Sequence, residues 1–324
     1  MGKAIIISQT GGPEQLMWQS HNVGAPAKGE VKIRHTAIGL NYIDTYMRTG
    51  LYPMSMPGIV GQEAAGIITE LGPEVSGLAV GDRVAYPGGP IGAYSEERVI
   101  PATNIVKVPD AISNETAAAL LTKACTVEFL IKRVFRVEKH HTVLLHAAAG
   151  GVGLLACQWL SSIGATIIGT ISGDEKAATA KANGCTHTIN YRTENVAERV
   201  RDITGSAGVD VVYDSAGKTS FDGSINSLKK RGMMVSFGNT TGPVDPVAPG
   251  LLAQKGSLFL TRPRMADYVT SREDFLHSTA AVFEQITAGV LKATIGQRFD
   301  LKDAATAHTA LEAGQTTGQT LLIP

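Results

Sequence analysis

Val143-Leu144-Leu145-His146-Ala147-Ala148-Ala149-Gly150-Gly151-Val152-Gly153 is a short apolar strand that runs directly into a turn of small residues. A helical pattern from Leu154 to Ile163 follows, and then a second apolar strand from Thr166 to Thr170. Strand, glycine turn, helix and strand in that order make a βαβ unit, the one context in which a glycine-rich turn signifies dinucleotide binding. Ala148, Gly150 and Gly153 hold the places of the three glycines of G-x-G-x-x-G: tight turn, close approach of backbone to a pyrophosphate, and close packing of helix on strand. Gly150, Gly151, Val152 and Gly153 then head a helix whose N-terminus is suited to a diphosphate. Small-residue turns also serve simply to pack a helix on a strand, so the flanking elements carry the argument.

Outward from this unit the alternation continues. Strands are expected at Val143 to His146, Thr166 to Thr170, Thr186 to Asn190, Val209 to Tyr213, Met233 to Phe237 and Ser257 to Thr261, separated by helical segments. Such alternation predicts a doubly wound parallel sheet, an α/β Rossmann lobe. Before it, to about Lys123, short β-branched runs broken by Gly and Pro predict a mostly β, barrel-like lobe: Ala4 to Ser8, Glu30 to Ile38, Ala64 to Leu71, Arg83 to Tyr86 and Tyr94 to Ile100. Helical periodicity from Ser113, a plausible cap, to Phe135 links the two. After Pro263, a helix (Arg272 to Ala288), a strand (Thr294 to Phe299), a helix (Leu301 to Glu312) and a last strand (Thr320 to Ile323) most simply return to the first lobe. The expected domains are residues 1–123 with 265–324, and residues 124–264.

Composition narrows the classes of function. A chain of 324 residues is long enough for two cores. With 44% hydrophobic and 18% charged residues and 36 glycines, it suits a globular α/β protein. Lys plus Arg equals Asp plus Glu at 29 each, which provides no long-range field for nucleic acid or an anionic membrane. No apolar run is long enough for a membrane span or a secretory h-region, and a cytoplasmic enzyme is expected. Cys125, Cys157 and Cys185 lack the paired spacing of a structural zinc site and read as small buried hydrophobes.

The choice of nicotinamide cofactor is set at the end of the second strand. NAD-preferring units place an acid there for the ribose 2′-hydroxyl, whereas a 2′-phosphate needs that acid absent and a cation nearby. This strand ends Gly169-Thr170-Ile171-Ser172, with Lys176 four residues on. Ser172 can donate to a phosphate and Lys176 can supply charge, which favours NADPH. Asp174 is close by and is expected to cap the following helix.

Asn41-Tyr42-Ile43-Asp44-Thr45-Tyr46, Arg48-Thr49-Gly50-Leu51-Tyr52-Pro53, Gly61-Gln62-Glu63-Ala64-Ala65-Gly66, Gly81-Asp82-Arg83-Val84, Ala147 to Gly153, Tyr213-Asp214-Ser215, Phe237-Gly238-Asn239 and Thr261-Arg262-Pro263 together resemble one family over essentially the whole chain. It is that of the zinc-independent quinone oxidoreductases, the zeta-crystallin-like branch of the medium-chain dehydrogenase/reductase superfamily. The resemblance implies a GroES-like β-barrel-type catalytic lobe beside the Rossmann lobe, an active cleft between them, and a homodimer joined through the strand near Ser257 to Thr261. It implies NADPH contacts at Asn41, Thr126, Gly151, Val152, Ser172, Lys176, Tyr191, Gly238 and Asn239. Zinc-dependent relatives carry Gly-His-Glu where this chain has Gly61-Gln62-Glu63, and an early catalytic Cys, whereas here no Cys precedes Cys125. A catalytic zinc needs about three protein ligands, so no metal is expected, and Glu63 is expected to brace its lobe by hydrogen bonding.

Hydride transfer without zinc leaves the developing negative charge on the acceptor oxygen to hydrogen-bond donors. The candidates are Asn41, Tyr46, Tyr52 and Arg264, with Tyr46 the first choice; the alternative is that Tyr46 only packs against a ring and solvent supplies the proton. The expected substrate is a quinone in an apolar slot. Reduction of the activated C=C bond of an enone or alkenal is a second reading, and a non-catalytic NADPH-binding structural or RNA-binding protein a third; the balanced charge argues against RNA.

Overall fold

A computed structural model describes residues 2–324 and divides the chain into two compact units, one running to Cys125 and resuming over Ser271–Pro324, the other Thr126–Thr270. The second unit is built on six parallel strands in the spatial order His187–Asn190, Thr166–Ile171, Thr142–Leu145, Val209–Asp214, Leu228–Ser236 and Phe259–Thr261. Strands covered by helices on both faces read as unbroken apolar runs, and all six residues of Val209–Asp214 are buried. Leu144, Ile168, Ile189, Val212 and Met234 supply one core, closed by Phe221 and Ile225. Two left-handed residues, an arginine and a serine, adjust the expected limits. Arg231 (φ 60°) interrupts the fifth strand, which starts at Leu228 and shifts register before Met233, and Ser257 (φ 55°) delays the last strand to Phe259.

The first unit holds two sheets. Gly2–Ile7 lies between Met17–His21 and Gly58–Ile59; the larger sheet runs Ile295–Asp300, Gln319–Ile323, Glu30–Gly39, Glu63–Leu71, Arg83–Pro87 and Val106–Lys107, with Glu97–Pro101 also pairing Glu30–Gly39. The C-terminal elements thus join the sheet of the N-terminal ones, and Leu322 shares a core with Ile5, Ile33, Ile68 and Ile100. Burying each such side chain contributes about 1.5–3 kcal/mol. The strand expected from Tyr94 begins at Glu97, because Ser95 makes only an isolated bridge to Ala4 and the Tyr94 carbonyl accepts the Ile5 N–H.

Two helical features differ from expectation. Asn114–Phe129 is α-helical and ends in a π-helical turn, Leu130–Val134, where the pattern had run on to Phe135; Ser113 Oγ does accept from the Thr116 N–H at 3.1 Å as a cap. Tyr42–Thr49 is a helix inside a segment read only as a motif. Its signal was present: Asn41 followed three residues later by Asp44, whose carboxylate takes the Asn41 N–H at 2.9 Å.

Candidate active site

Parallel strands aim their carboxyl ends one way, so the loops that follow them gather along one edge of the sheet. Ala147 to Gly153 leaves Thr142–Leu145, Ser172 and Lys176 leave Thr166–Ile171, Tyr191 follows His187–Asn190, and Gly238 and Asn239 follow Leu228–Ser236. The Rossmann unit thereby brings these expected cofactor residues to a single edge. Strand order reverses at its centre, where Thr142–Leu145 has Thr166–Ile171 on one side and Val209–Asp214 on the other. Open α/β sheets bind ligands at such a switch point.

The turn itself differs from its expected division of labour. The left-handed residue is Ala147 (φ 54°), not Ala148. Ala148 is instead buried against Gly169, where any Cβ would lie 2.6 Å from the Ala148 methyl. Gly150 caps the helix Gly151–Ile163. Gly153 packs helix on turn: a Cβ there would collide with the Ala147 carbonyl oxygen and approach the Ala148 backbone to 2.8 Å. This cradle suits an anion, since the positive end of the helix dipole is reached past glycines that leave room for phosphate.

Ser172 and Lys176 are half-buried beyond the buried Ile171. Gly173, not Asp174, is the cap of the helix Asp174–Ala182, so the capping role expected of Asp174 is corrected; its carboxylate sits in the first turn, where the helix dipole favours it. Tyr191 is half exposed, and its N–H donates to Ile171 O at 3.1 Å. Thr126 lies half-buried on Asn114–Phe129. Arg264 is largely exposed and forks onto Asp267 at 2.8 and 2.9 Å.

Asp214 was passed over as a site residue. Fully buried, it accepts the N–H groups of Ala216 (2.8 Å) and Gly217 (3.0 Å) on its carboxylate, while its carbonyl accepts those of Phe237 (2.8 Å) and Gly238 (3.3 Å). Asp214-Ser215-Ala216-Gly217 after a strand is an Asx-turn pattern that could have signalled this.

In the first unit, Asn41, Tyr46 and Tyr52 come together around the helix Tyr42–Thr49. The Asn41 amide donates to Gly39 O (3.3 Å) and Glu63 Oε2 (2.9 Å). The Tyr46 ring lies edge-on to Tyr52 with centroids 5.3 Å apart, and 5.6 Å from Tyr42, a neighbour that the sequence had not singled out. Glu63, wholly buried, also accepts the Thr122 N–H at 2.5 Å and the Lys123 ammonium at 3.0 Å, which is the bracing expected of it. This donor set does not fit zinc. A lysine ammonium already neutralises the carboxylate, and among the described residues no group of three His, Cys, Asp or Glu side chains converges.

A GroES-like unit and a Rossmann unit with a glycine cradle at its switch point define the medium-chain dehydrogenase/reductase class. Residues 27–110 match the family model of the alcohol dehydrogenase GroES-like domain, and residues 151–277 that of the zinc-binding dehydrogenases. The chain is 45% identical to the quinone oxidoreductase of Pseudomonas aeruginosa, with 100% of both chains covered. It is 42% identical to a 2-haloacrylate reductase of Burkholderia, covering 100% of this chain and 99% of that one. The crystal structure of Escherichia coli quinone oxidoreductase complexed with NADPH superposes with a TM-score of 0.98 at 44% identity, covering 99% of this chain and 100% of that one. The chain belongs to the quinone oxidoreductase family of the medium-chain dehydrogenases/reductases.

Proposed function

We propose that this protein is an NADPH:quinone oxidoreductase, reducing a quinone by hydride transfer without zinc. The observation that carries this is the full-length likeness to quinone oxidoreductases, one of them solved with NADPH. Bound NADPH supplies the hydride. Gly150, Gly151, Val152 and Gly153 hold its diphosphate at the helix N-terminus, Ser172, Lys176 and Tyr191 surround its 2′-phosphate, and Thr126, Gly238 and Asn239 line the remainder. With no acid at the end of Thr166–Ile171, nothing on that strand end repels the phosphate.

Reduction of a quinone to a hydroquinone takes a hydride and a proton, and negative charge develops on the acceptor oxygen as the hydride arrives. Tyr46 is the donor to that oxygen, with Tyr52 beside it. Asn41 orients rather than donates, because both protons of its amide serve Gly39 and Glu63. Arg264 adds a positive charge, tethered by Asp267.

The protein acts in the cytoplasm as a homodimer. Among the described residues no helix is long and apolar enough to cross a membrane. Phe259–Thr261 ends its sheet without a further strand, and Phe259 is 57% exposed, an edge suited to pairing with a second copy. The test of the function is a fluorescence titration with NADPH and NADH, followed by NADPH consumption over a panel of quinones, enones and alkenals. Tight NADPH binding with quinone turnover supports it; turnover confined to enones or alkenals moves the substrate to an activated C=C bond, and binding without any turnover removes the enzyme.

A further inference from the structure

Behind the glycine turn lies a buried chain of side chains that hydride transfer does not use. Ala147 is a non-glycine residue held in the left-handed region (φ 54°), a conformation that needs support from its surroundings. Its N–H donates to Thr170 Oγ1 at 3.2 Å. Thr170 Oγ1 lies 3.1 Å from His146 Nδ1, His146 Nε2 lies 2.8 Å from Ser224 Oγ, and Ser224 Oγ donates to Asp214 Oδ2 at 2.7 Å. Thr170, His146, Ser224 and Asp214 are all buried.

The direction of this chain is set at its carboxylate end. The Asp214 side-chain oxygens accept from two N–H groups and from the Ser220 and Ser224 hydroxyls, so the Ser224 hydroxyl spends its proton there and must accept from His146 Nε2–H. Nδ1 of the neutral ring is then a lone pair that accepts from Thr170, whose oxygen remains free to accept the Ala147 N–H. Burial works in the same sense, lowering the His146 pKa and keeping the ring neutral. The other end of the network reaches further. Asp214 Oδ1 gathers the N–H groups of Ala216 and Gly217 and the Ser220 hydroxyl (2.8 Å), and its carbonyl holds Phe237 and Gly238. One histidine thus joins the loops after four strands: those ending at Leu145, Ile171, Asp214 and Ser236.

We propose that His146 is a positioning residue for the dinucleotide: through Thr170 it holds Ala147 left-handed, and through Ser224 and Asp214 it ties the diphosphate turn to the Gly238 loop. This rests on the reading that the turn 147–153 holds NADPH. A neutral ring of one tautomer is the part that cannot be exchanged: the other tautomer sets the Nε2 lone pair against the Ser224 oxygen, acceptor against acceptor, and a proton on Nδ1, in that tautomer or in the charged ring, turns the Thr170 hydroxyl away from the ring.

Thr170→Val removes the hydroxyl at nearly constant volume, Ser224→Ala cuts the chain on the other side of the ring, and Thr170→Ser restores the hydroxyl. NADPH dissociation constants are measured by fluorescence titration well below the melting temperature of each variant, alongside KM for NADPH and kcat with a quinone. Thr170→Val and Ser224→Ala are expected to weaken NADPH about tenfold, raising KM for NADPH rather than lowering kcat, with Thr170→Ser close to wild type. The double variant is expected to bind no more weakly than the worse single one, since one continuous chain is broken only once. Folded variants that bind NADPH within twofold of wild type, or single effects that multiply in the double variant, overturn the proposal while leaving the cofactor assignment intact. If Thr170→Val does not fold, Ser224→Ala decides alone by the same twofold criterion. A wild-type protein that binds no NADPH rejects the cofactor assignment itself, and the proposal with it.

Discussion

Asn41 and Glu63 are joined directly, Nδ2 to Oε2 at 2.9 Å, on a carboxylate that also takes the Lys123 ammonium. The link places a buried ion pair under the helix that carries Tyr46. Removing one member of such a pair strands the other charge in a low dielectric, at a cost of about 3–5 kcal/mol. Glu63→Ala is expected to lower the unfolding free energy by about that amount in a urea titration. Glu63→Gln with Lys123→Met, which discharges both partners, is expected to recover much of it. A Glu63→Ala protein as stable as wild type would show that the pair contributes nothing.

Three buried groups of the same unit set its response to acid. Burial lowers the pKa of His35 and of His308 from 6.5 to about 3, and raises that of Asp44 from 3.8 to about 7. Between about pH 4 and 6 the unfolded chain therefore binds two histidine protons that the native state refuses, and releases one aspartate proton that it keeps. The net is one proton taken up on unfolding, so stability falls by about 1.4 kcal/mol for each pH unit lost in that window. His308→Asn should flatten the slope and Asp44→Asn should double it, as read from urea midpoints between pH 4 and 6.5.

Gly153 sits where a methyl group would meet the Ala147 carbonyl, whereas at Gly150 a Cβ would approach that oxygen only to 3.2 Å. Gly153→Ala must therefore displace the helix from the turn, and Gly150→Ala needs a shift of a few tenths of an ångström. The expected order in NADPH affinity is wild type, then Gly150→Ala, then Gly153→Ala, the last weaker by more than about tenfold. Equal titration curves for the two variants would contradict this packing.

Lys176 is half-buried in the first turn of the helix that follows Ser172. As a partner of the 2′-phosphate it matters to NADPH and not to NADH. Lys176→Ala is expected to weaken NADPH about tenfold, the worth of one charge-assisted contact, and to leave NADH nearly unchanged. Parallel loss for both cofactors would remove it from the phosphate site.

Tyr46→Phe keeps the edge-on contact with Tyr52 and deletes only the hydroxyl. As donor to the acceptor oxygen, Tyr46 is expected to contribute about 100-fold to kcat. Unchanged quinone turnover in this variant assigns the proton to solvent and leaves Tyr46 a packing role.

The residues alone determined the doubly wound sheet and the glycine turn, because burial on both faces demands unbroken apolar runs and a helix can approach its strand this closely only past small side chains such as Gly153. They also put Ser172 and Lys176 just past the end of the second strand, where the chain does fold them. What tertiary structure alone decided are the pairings between distant segments: Asn41 with Glu63, His308 with Arg48 and Tyr94, His146 with Ser224. A histidine inside an apolar strand looks like any buried residue until the strand 24 positions on brings Thr170 to its Nδ1. The left-handed turn likewise fell on Ala147 and not Ala148, because the conformation of a single residue was chosen by the hydrogen bonds waiting for it and not by its own preference.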